Sequence, residues 1–180
     1  MTELAIRPAT AADAGAVHAL ISAHTQEGRL LPRDLPEIAR HVSRFAVCEV
    51  GGVVKACAEL APLSPRLAEV RSLVVAKDVR RAGLAARLVG ELRDRARAAG
   101  FESLCAFTHE AQFFVRQNFS IVPHVWLPEK VTTNCLSCAL YGTCGQHAML
   151  LPLREMPRYA AMPLTNRPFD VAQGARVVVA

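Results

Sequence analysis

Aromatic residues and long apolar runs are both scarce in this chain of 180 residues. It has one Trp, two Tyr and seven Phe, and none of them alternates with basic residues as a surface that stacks nucleic-acid bases would require. The longest uncharged apolar run is far shorter than the roughly 20 residues of a membrane-spanning helix. The sequence therefore argues against nucleic acid or a membrane as the partner.

A signal-peptide pattern, internal repeats and low-complexity tracts are absent as well. The first residues, MTELAIRPAT, lack the basic stretch followed by an apolar one, so we expect a cytoplasmic protein. With 52% hydrophobic and 21% charged residues the chain is globular, and its length predicts one domain with at most an appendage. We place the domain at 1–153, including a cysteine-containing loop at 127–147, and a proline-punctuated tail at 154–180.

Positive charge is in excess, at a net +5 and a pI near 9.1. Six arginines lie between positions 80 and 97 and contribute much of it. A basic surface fits an anionic partner, but charge alone does not distinguish nucleic acid from a phosphorylated small molecule.

The hydrophobic pattern predicts an α+β fold with strands in hairpins around one central sheet. Turn and capping signals delimit the elements. The predicted strands are 4–8, 44–50, 53–60, 67–75, 103–108, 119–127 and 147–153, and the predicted helices are 10–23, a short one from 34, 84–99 and 111–117.

The turn RRAGLA, at 80–85, joins an apolar strand to the long amphipathic helix. The first N–H groups of a helix have no partners within it, and the helix dipole favours an anion there. Gly83 would let the backbone approach a ligand, and Arg80 and Arg81 add charge, which together suit a phosphate. The alternative is a solvated helix start with incidental arginines.

The preceding strand carries two charged residues. Strict alternation puts Glu69, Arg71, Leu73 and Val75 on one face and Ala68, Val70, Ser72 and Val74 on the other. A buried arginine needs a partner, so Arg71 either pairs with Glu69 at the surface or binds a substrate carboxylate.

The segment EVRSLVVAKDVRRAGLAARLVGELRDRARAAGFESLCAFT, followed by FFVRQNF, resembles the acetyl-CoA-binding core of the GNAT acetyltransferase superfamily. Arg80, Gly83 and Ala85 match its pyrophosphate motif, (Arg/Gln)-x-x-Gly-x-(Gly/Ala). The resemblance covers about residues 4–125. It implies a GNAT-like fold, with a mixed, mostly antiparallel twisted sheet flanked by helices and two strands splayed apart at the acetyl-CoA site.

The resemblance also implies an acetyl-CoA site. Free backbone groups of the splayed strand would hold pantetheine, and amides of the turn would hold the pyrophosphate. The implied residues are Leu73, Val74, Val75, Arg80, Arg81, Ala82, Gly83, Leu84, Ala85 and Phe113.

Two further segments, 28–60 and 119–153, resemble bacterial N-acetylglutamate synthases, especially their short, stand-alone form. The likeness implies acetylation of the α-amine of L-glutamate, the first step of arginine biosynthesis, with Arg33 and Arg71 holding the two carboxylates. An arginine binds a carboxylate through two parallel N–H donors. Arg71 alone would hold an α-carboxylate, so glutamine stays open, as do an aminoglycoside and a protein N-terminus. A homodimer is left open.

The reaction needs a base, because an ammonium group has no lone pair with which to attack the thioester. Glu69, acting through a water, is the first candidate and His109 the second, although His109 also reads as an exposed loop residue. Many superfamily members protonate the leaving thiolate with a tyrosine where this chain has Phe114. A thiol pKa near 8.5 makes the thiolate a tolerable leaving group without that acid.

Three of the six cysteines cluster in NCLSCALYGTC. Cys135, Cys138, Cys144 and His147 have a spacing that would allow a tetrahedral Cys3His zinc site, with packing or incidental thiols as the alternative. A small zinc module that binds nucleic acid without catalysis is the competing hypothesis from another functional class, and the pI and this cluster are its support.

Overall fold

The computed structural model describes residues 4–25, 30–80 and 82–154. The predicted tail therefore lies outside the described residues, apart from Arg154. The strands are β1 Leu4–Pro8, β2 Phe45–Val50, β3 Val53–Pro62, β4 Leu67–Val75, β5 Ser103–Thr108, β6 Ser120–Val122 and β7 His147–Pro152. The helices are α1 Ala14–Thr25, α2 Leu35–Arg40, α3 Leu84–Ala98, α4 Ala111–Val115 and α5 Pro128–Lys130, the last continued by a π-helical turn, Val131–Cys135.

The strands form one sheet in the order β1-β2-β3-β4-β5-β7-β6, and every neighbouring pair is antiparallel except β4 with β5. Helix α3 packs its apolar stripe against one face of the sheet, and α1 and α2 cover the other. The predicted fold class, a mixed and mostly antiparallel sheet flanked by helices, is confirmed. No helix in the described ranges is long and apolar enough to cross a membrane.

The parallel strands β4 and β5 separate after a short paired stretch. In the described part of the chain they pair only over residues 67–69 and 103–105. Beyond that point β4 stays paired with β3, and β5 stays paired with β7. The two strands are therefore splayed apart, and a cleft opens between their carboxyl ends.

A bulge in β4 overturns the predicted alternation of its side chains. Ser72 has φ of 49°, and the register moves from Glu59↔Arg71 to Cys57↔Val74, so β4 carries one extra residue. A bulge exchanges the two faces of the residues that follow it. Leu73 and Val75 consequently pack on the α3 side, while Val74 packs on the α1 side with Arg71 and Ser72.

Local signals placed most element boundaries correctly. The carboxylate of Asp13 accepts the backbone N–H of Thr10 at 2.7 Å, which begins the first helical segment as a capping interaction. The predicted strand 119–127 was wrong in length, because β6 ends at Val122. Pro123 lacks the N–H that would continue the pairing, and a 3-10 turn, His124–Trp126, follows it.

Candidate active site

The splay between β4 and β5 opens into a cleft of about 850 Å³. Its walls come from the carboxyl ends of both strands, the start of α3, the end of α1, helix α4 and the segment 130–146. These elements bring together most of the residues that the sequence singled out, although Arg33 and Phe113 are 80 positions apart in the chain.

The beginning of α3 faces the cleft. Gly83 is its N-cap with φ of 73°, a left-handed conformation that suits glycine, and a Cβ built there would have open space around it. Leu84 and Ala85 follow in the first turn, where the backbone N–H groups have no partner within the helix. Arg80 also lines the cleft, and its Nε lies 3.3 Å from the Val75 carbonyl oxygen. The predicted Arg81 lies outside the described residues, and Ala82 is exposed.

Helix α4 supplies an apolar wall. Phe113 lines the cleft and packs edge-on against Phe114, with ring centroids 5.1 Å apart. Phe114 is 5% exposed and packs in turn against Phe119. This helix therefore contributes aromatic packing where a tyrosine would have contributed a proton donor.

Arg33 reaches the cleft but is already bonded on several sides. Its Nε and Nη2 each lie 2.7 Å from a carboxylate oxygen of Glu37. Its Nη1 donates to Glu59 at 2.9 Å and to the Ser72 hydroxyl at 2.8 Å. The side chain is 8% exposed. Arg33 thus lines the cleft and joins the segment before α2 to the β3–β4 pair.

Arg71 and Glu69 lie further along β4, on the same face. The Nε of Arg71 is 3.8 Å from Glu59 and 4.0 Å from Glu69, longer than hydrogen-bond distances. Glu69 is almost fully buried and accepts two contacts from Lys130 Nζ, at 2.7 and 2.8 Å. Burial raises the pKa of the Glu69 carboxyl, and the charges of Lys130 and Arg71 oppose that rise. Of the two arginines predicted to hold substrate carboxylates, Arg71 rather than Arg33 therefore has bonding capacity left for a ligand.

His109, the second base candidate, is an exposed residue just after β5 and lines the cleft. The loop from β6 to β7 passes close to it, since a Cβ built on Gly145 would lie 3.8 Å from the imidazole Cε1.

A family comparison identifies this architecture. The model of the acetyltransferase (GNAT) family matches residues 15–119, more than half of the chain. The chain belongs to the GNAT acetyltransferase family. It is accordingly an acetyl-CoA-dependent N-acetyltransferase, and the predicted resemblance is confirmed.

Curated relatives of this GNAT acetyltransferase fall into two groups. One is a protein of Chlorobaculum tepidum named as an uncharacterized N-acetyltransferase, 28% identical over 82% of this chain and 96% of that protein. Another is the amino-acid acetyltransferase of Ralstonia nicotianae, 32% identical over 63% of this chain. The alignment covers 26% of that longer protein.

Solved structures show the same fold. The N-acetylglutamate synthase of Neisseria gonorrhoeae, complexed with coenzyme A and N-acetyl-glutamate, superposes with a TM-score of 0.76 at 25% identity, over 86% of this chain and 36% of that one. Rv2747 of Mycobacterium tuberculosis, in complex with CoA and NLQ, gives a TM-score of 0.73 at 23% identity, over 83% and 99% of the two chains.

The cysteine cluster differs from the hypothesised zinc site. Cys135 and Cys138 are half-buried and Cys144 is exposed, all as free thiols, while His147 begins β7. Among the described residues, which include these four, no three His, Cys, Asp or Glu side chains are placed to hold a metal ion. The spacing is compatible with a Cys3His site, but the geometry does not assemble one.

The sequence did not point to Lys130 and His24, which line the cleft, or to Glu59, the carboxylate that pairs with Arg33. Lys130 and Glu59 are ion-pair partners of the predicted residues, and His24 at the end of α1 faces the same space. Glu59 did carry a signal, since a carboxylate inside the apolar strand ACAEL needs a buried cation. Lys130 and His24 carried none, because their partners are distant in sequence.

Proposed function

We propose that this GNAT acetyltransferase transfers the acetyl group of acetyl-CoA to the α-amine of L-glutamate, the first step of arginine biosynthesis. The observation that carries the proposal is the group of charged side chains where β4 and β5 separate. Within that group, Arg71 retains bonding capacity beside the buried carboxylate of Glu69. The names of the amino-acid acetyltransferase relatives, and the N-acetyl-glutamate bound to the Neisseria gonorrhoeae synthase, support the choice of acceptor.

The α3 side of the cleft suits acetyl-CoA. The free edge of β4 offers backbone groups at Leu73 and Val75 to pantetheine, and Val74 lies between them. Amides of residues 82–85, with Arg80, suit the pyrophosphate because the helix dipole and the arginine both favour an anion. Phe113 supplies an apolar wall beside them.

The α1 side suits an amino acid. Arg71 is placed to bind one carboxylate, and Lys130, 13% exposed, is a second cation at the same end. Arg33 is bonded to Glu37 and Glu59, so it would bind a substrate carboxylate directly only by exchanging Glu37 for it. In this arrangement Arg33 is both a candidate ligand and the group that fixes the position of Glu59.

Acetyl transfer then follows from the placement of Glu69. The carboxylate takes a proton from the substrate ammonium through a water, and the freed nitrogen attacks the thioester carbonyl. A backbone N–H of the splayed strand stabilises the developing oxyanion. The carbon–sulfur bond breaks, CoA leaves as a thiolate, and the proton that the new amide nitrogen releases goes to solvent. His109, just after β5 in the cleft lining, is the alternative base.

Glutamine is the second candidate acceptor, favoured by the ion pairs that the cations on the α1 side of the cleft already make. Arg33 pairs with Glu37 and Glu59, Arg71 lies near Glu59 and Glu69, and Lys130 pairs with Glu69. One spare binding position suits the α-carboxylate, and a carboxamide side chain would need no further cation.

The test is release of free thiol from acetyl-CoA in the presence of glutamate, glutamine, other amino acids, polyamines and an aminoglycoside. Turnover with glutamate supports the proposal, and turnover with glutamine alone selects the second candidate. Thermal stabilisation by acetyl-CoA without turnover of either amino acid would overturn the acceptor and leave the family assignment intact.

Arg71 provides a sharper check within that assay. Arg71→Gln should raise the KM for the amino acid about tenfold, as expected for the loss of one charge-assisted bond, and leave the KM for acetyl-CoA unchanged. Arg97, half-exposed on α3, contacts Asp94 at 3.4 Å and does not line the cleft, so Arg97→Gln serves as the matched control. Equal effects of the two substitutions would exclude Arg71 as a carboxylate ligand.

A further inference from the structure

Lys130 contacts both oxygens of the Glu69 carboxylate. Its Nζ lies 2.7 Å from Oε1 and 2.8 Å from Oε2. The side chains of Lys130 and Glu69 are 13% and 4% exposed, and both residues line the cleft. One ammonium group therefore holds the whole carboxylate that the proposed reaction uses as its base.

The chain around Lys130 fixes the position of that ammonium group. Leu127, 2% exposed, packs against the sheet in one cluster with Cys105. The backbone N–H groups of Lys130 and Val131 both donate to the carbonyl oxygen of Leu127, at 3.1 and 3.2 Å. The Lys130 ammonium also lies 5.3 Å from the centroid of the Phe107 ring, within the range of a cation–π contact. Backbone and ring contacts thus hold Lys130 in place independently of Glu69.

The charge of Glu69 depends on its neighbours. Burial raises the pKa of the Glu69 carboxyl, whereas Lys130 lowers it through its charge and its hydrogen bond, and Arg71, 4.0 Å away, through its charge. The titratable and charged groups that interact with Glu69 come from five elements: Lys130 of α5, Arg71 of β4, Glu59 of β3, Cys105 of β5 and Cys135 of the π-helical turn.

Binding of the amino acid alters this balance. In the proposed function Arg71 binds a substrate carboxylate, and that negative charge offsets the effect of Arg71 on Glu69. The contact between Lys130 and Glu69 does not depend on Arg71. Among the groups just named, Lys130 then remains the cation that compensates the buried carboxylate.

We propose that Lys130 is a positioning residue of acetyl transfer, which fixes the Glu69 carboxylate and keeps it charged while the acceptor occupies Arg71. Lys130 exchanges no proton with the substrate and acts through Glu69. A carboxylate has about four acceptor positions, so the two contacts with Nζ leave room for the water that relays the proton. This inference rests on the proposed function, from which it takes Glu69 as the base and Arg71 as the carboxylate ligand.

The test is the pH profile of kcat in Lys130→Met, measured by thiol release, because kcat reports the enzyme with its acceptor bound. Loss of the ammonium group raises the pKa of Glu69, so the base is protonated at neutral pH. At pH 7, kcat should fall about 10- to 100-fold, as expected for the loss of one hydrogen bond to a charged group, with the KM for acetyl-CoA unchanged. Activity should recover as the pH is raised. Lys130→Arg keeps the charge and should retain the wild-type profile.

Two comparisons separate this role from a structural one. Lys55 pairs with Asp78 at 2.6 Å outside the cleft lining, so Lys55→Met removes a paired lysine and should keep the wild-type profile. In a Glu69→Gln background, Lys130→Met should cost little further activity, because Lys130 acts through Glu69. A kcat in Lys130→Met that stays depressed at high pH, or an acidic limb at the wild-type pH, overturns the proposal.

Carbon-13 NMR of the glutamate side-chain carboxyls follows the protonation of Glu69 without a substrate. The Glu69 signal, identified by its loss in Glu69→Gln, should titrate at higher pH in Lys130→Met than in the wild type, and an equal midpoint would overturn the role of Lys130. If Lys130→Met does not fold, Lys130→Gln removes the charge but keeps a hydrogen-bond donor, and it replaces Lys130→Met in both measurements. A raised midpoint without turnover of glutamate or glutamine would support the hold of Lys130 on Glu69 and overturn the proposed acceptors alone.

Discussion

Two clusters of charged side chains in the described part of the chain differ in their relation to the cleft. The sheet-edge cluster consists of Arg7, Asp13 and Glu49. The cleft cluster consists of four residues that line the cleft, Arg33, Glu69, Arg71 and Lys130, and of their partners Glu37 and Glu59. Both combine arginines with carboxylates, so composition does not distinguish them.

The geometry of the two clusters distinguishes them. Arg7 makes a bidentate contact with Asp13, at 2.8 Å for both bonds, and a further contact with Glu49. Hydrogen bonds from Arg7 hold the pKa of the Asp13 carboxyl well below its usual range. In the cleft cluster, Arg71 stands 3.8 and 4.0 Å from its carboxylates, and burial raises the pKa of Glu69. Charges that satisfy one another hold the fold together, whereas incompletely satisfied charges are available to a ligand.

The largest expected effect is on the reaction rate, at Glu69. Glu69→Gln keeps the shape of the side chain but cannot accept a proton, so kcat should fall about 100- to 1000-fold with the KM for acetyl-CoA unchanged. Glu49→Gln makes the same change in the sheet-edge cluster and should retain kcat. Similar rates for the two variants would remove Glu69 from the mechanism and leave His109 as the base.

The pH profile checks the same assignment. A base works in its deprotonated form, and burial raises the pKa of Glu69. In the wild type, kcat/KM should therefore fall as the pH drops through a value above that of an ordinary carboxylic acid. Glu69→Gln should remove this acidic limb from whatever activity remains.

The next effect is on stability, at Arg33. Arg33→Met would leave the carboxylate of Glu59, 1% exposed, without its cation at 2.9 Å. Arg71, 3.8 Å from Glu59, would then be the nearer remaining cation, so the loss should approach the roughly 3–5 kcal/mol that breaking a buried pair costs, measurable as a fall in the free energy of unfolding in urea. Adding Glu59→Gln to Arg33→Met should recover much of that loss.

A matched substitution sharpens the comparison of the clusters. Arg7→Met leaves the Glu49 carboxylate, 27% exposed, to be solvated by water, and leaves the Asp13 carboxylate, 8% exposed, without its cation. Asp13 still accepts the N–H and the hydroxyl of Thr10, so the loss should be smaller than for Arg33→Met. Equal losses in the free energy of unfolding would show that the cleft cluster stabilises the fold as much as the sheet-edge cluster does.

A third effect is on cofactor affinity, at the two ends of α3. Gly83→Val should raise the KM for acetyl-CoA about 30-fold, corresponding to about 2 kcal/mol of lost interaction at the helix N-terminus, because the new methyl groups occupy the space of the pyrophosphate. Gly100→Val is the control. Gly100 also has positive φ, 84° against 73°, and open space for a Cβ, so the backbone strain is comparable. A similar KM in both variants would place the pyrophosphate elsewhere.

The acetyl-CoA half of the cleft could be predicted from the sequence because its signals are local. Strand β4, the turn with Arg80 and Gly83, and helix α3 are consecutive, and turn chemistry and periodicity each act over a few residues. The separation of β4 from β5 was predicted from the family resemblance. The bulge at Ser72 could not be found, because serine carries no preference for the left-handed conformation adopted there.

The acceptor half could be predicted only in part because its contacts are distant in sequence. Lys130 and Glu69 are 61 positions apart, and Arg33 and Glu59 are 26 apart. Neither pairing produces a periodic pattern in the sequence. The sequence proposed Arg33 and Arg71 as equivalent ligands, and only the distances distinguish the bonded arginine from the available one. The cysteine spacing likewise gave no information on whether the thiols converge.

The smallest effect belongs to the sheet-edge cluster, at Asp13. Asp13→Asn should lower the free energy of unfolding by about 1 kcal/mol at neutral pH, because the charge-assisted bonds to Arg7 and the Thr10 amide are weakened, and should leave the kinetics unchanged. A depressed pKa stabilises the fold fully above the unfolded pKa, about 3.9, and progressively less as the pH falls from there toward the folded value. The unfolding free energies of wild type and Asp13→Asn should therefore converge as the pH is lowered, in urea titrations at successive pH values. A constant difference in unfolding free energy at every pH would mean that Asp13 stabilises the helix start through its shape and neutral hydrogen bonds. Charge would then not be what stabilises the sheet-edge cluster.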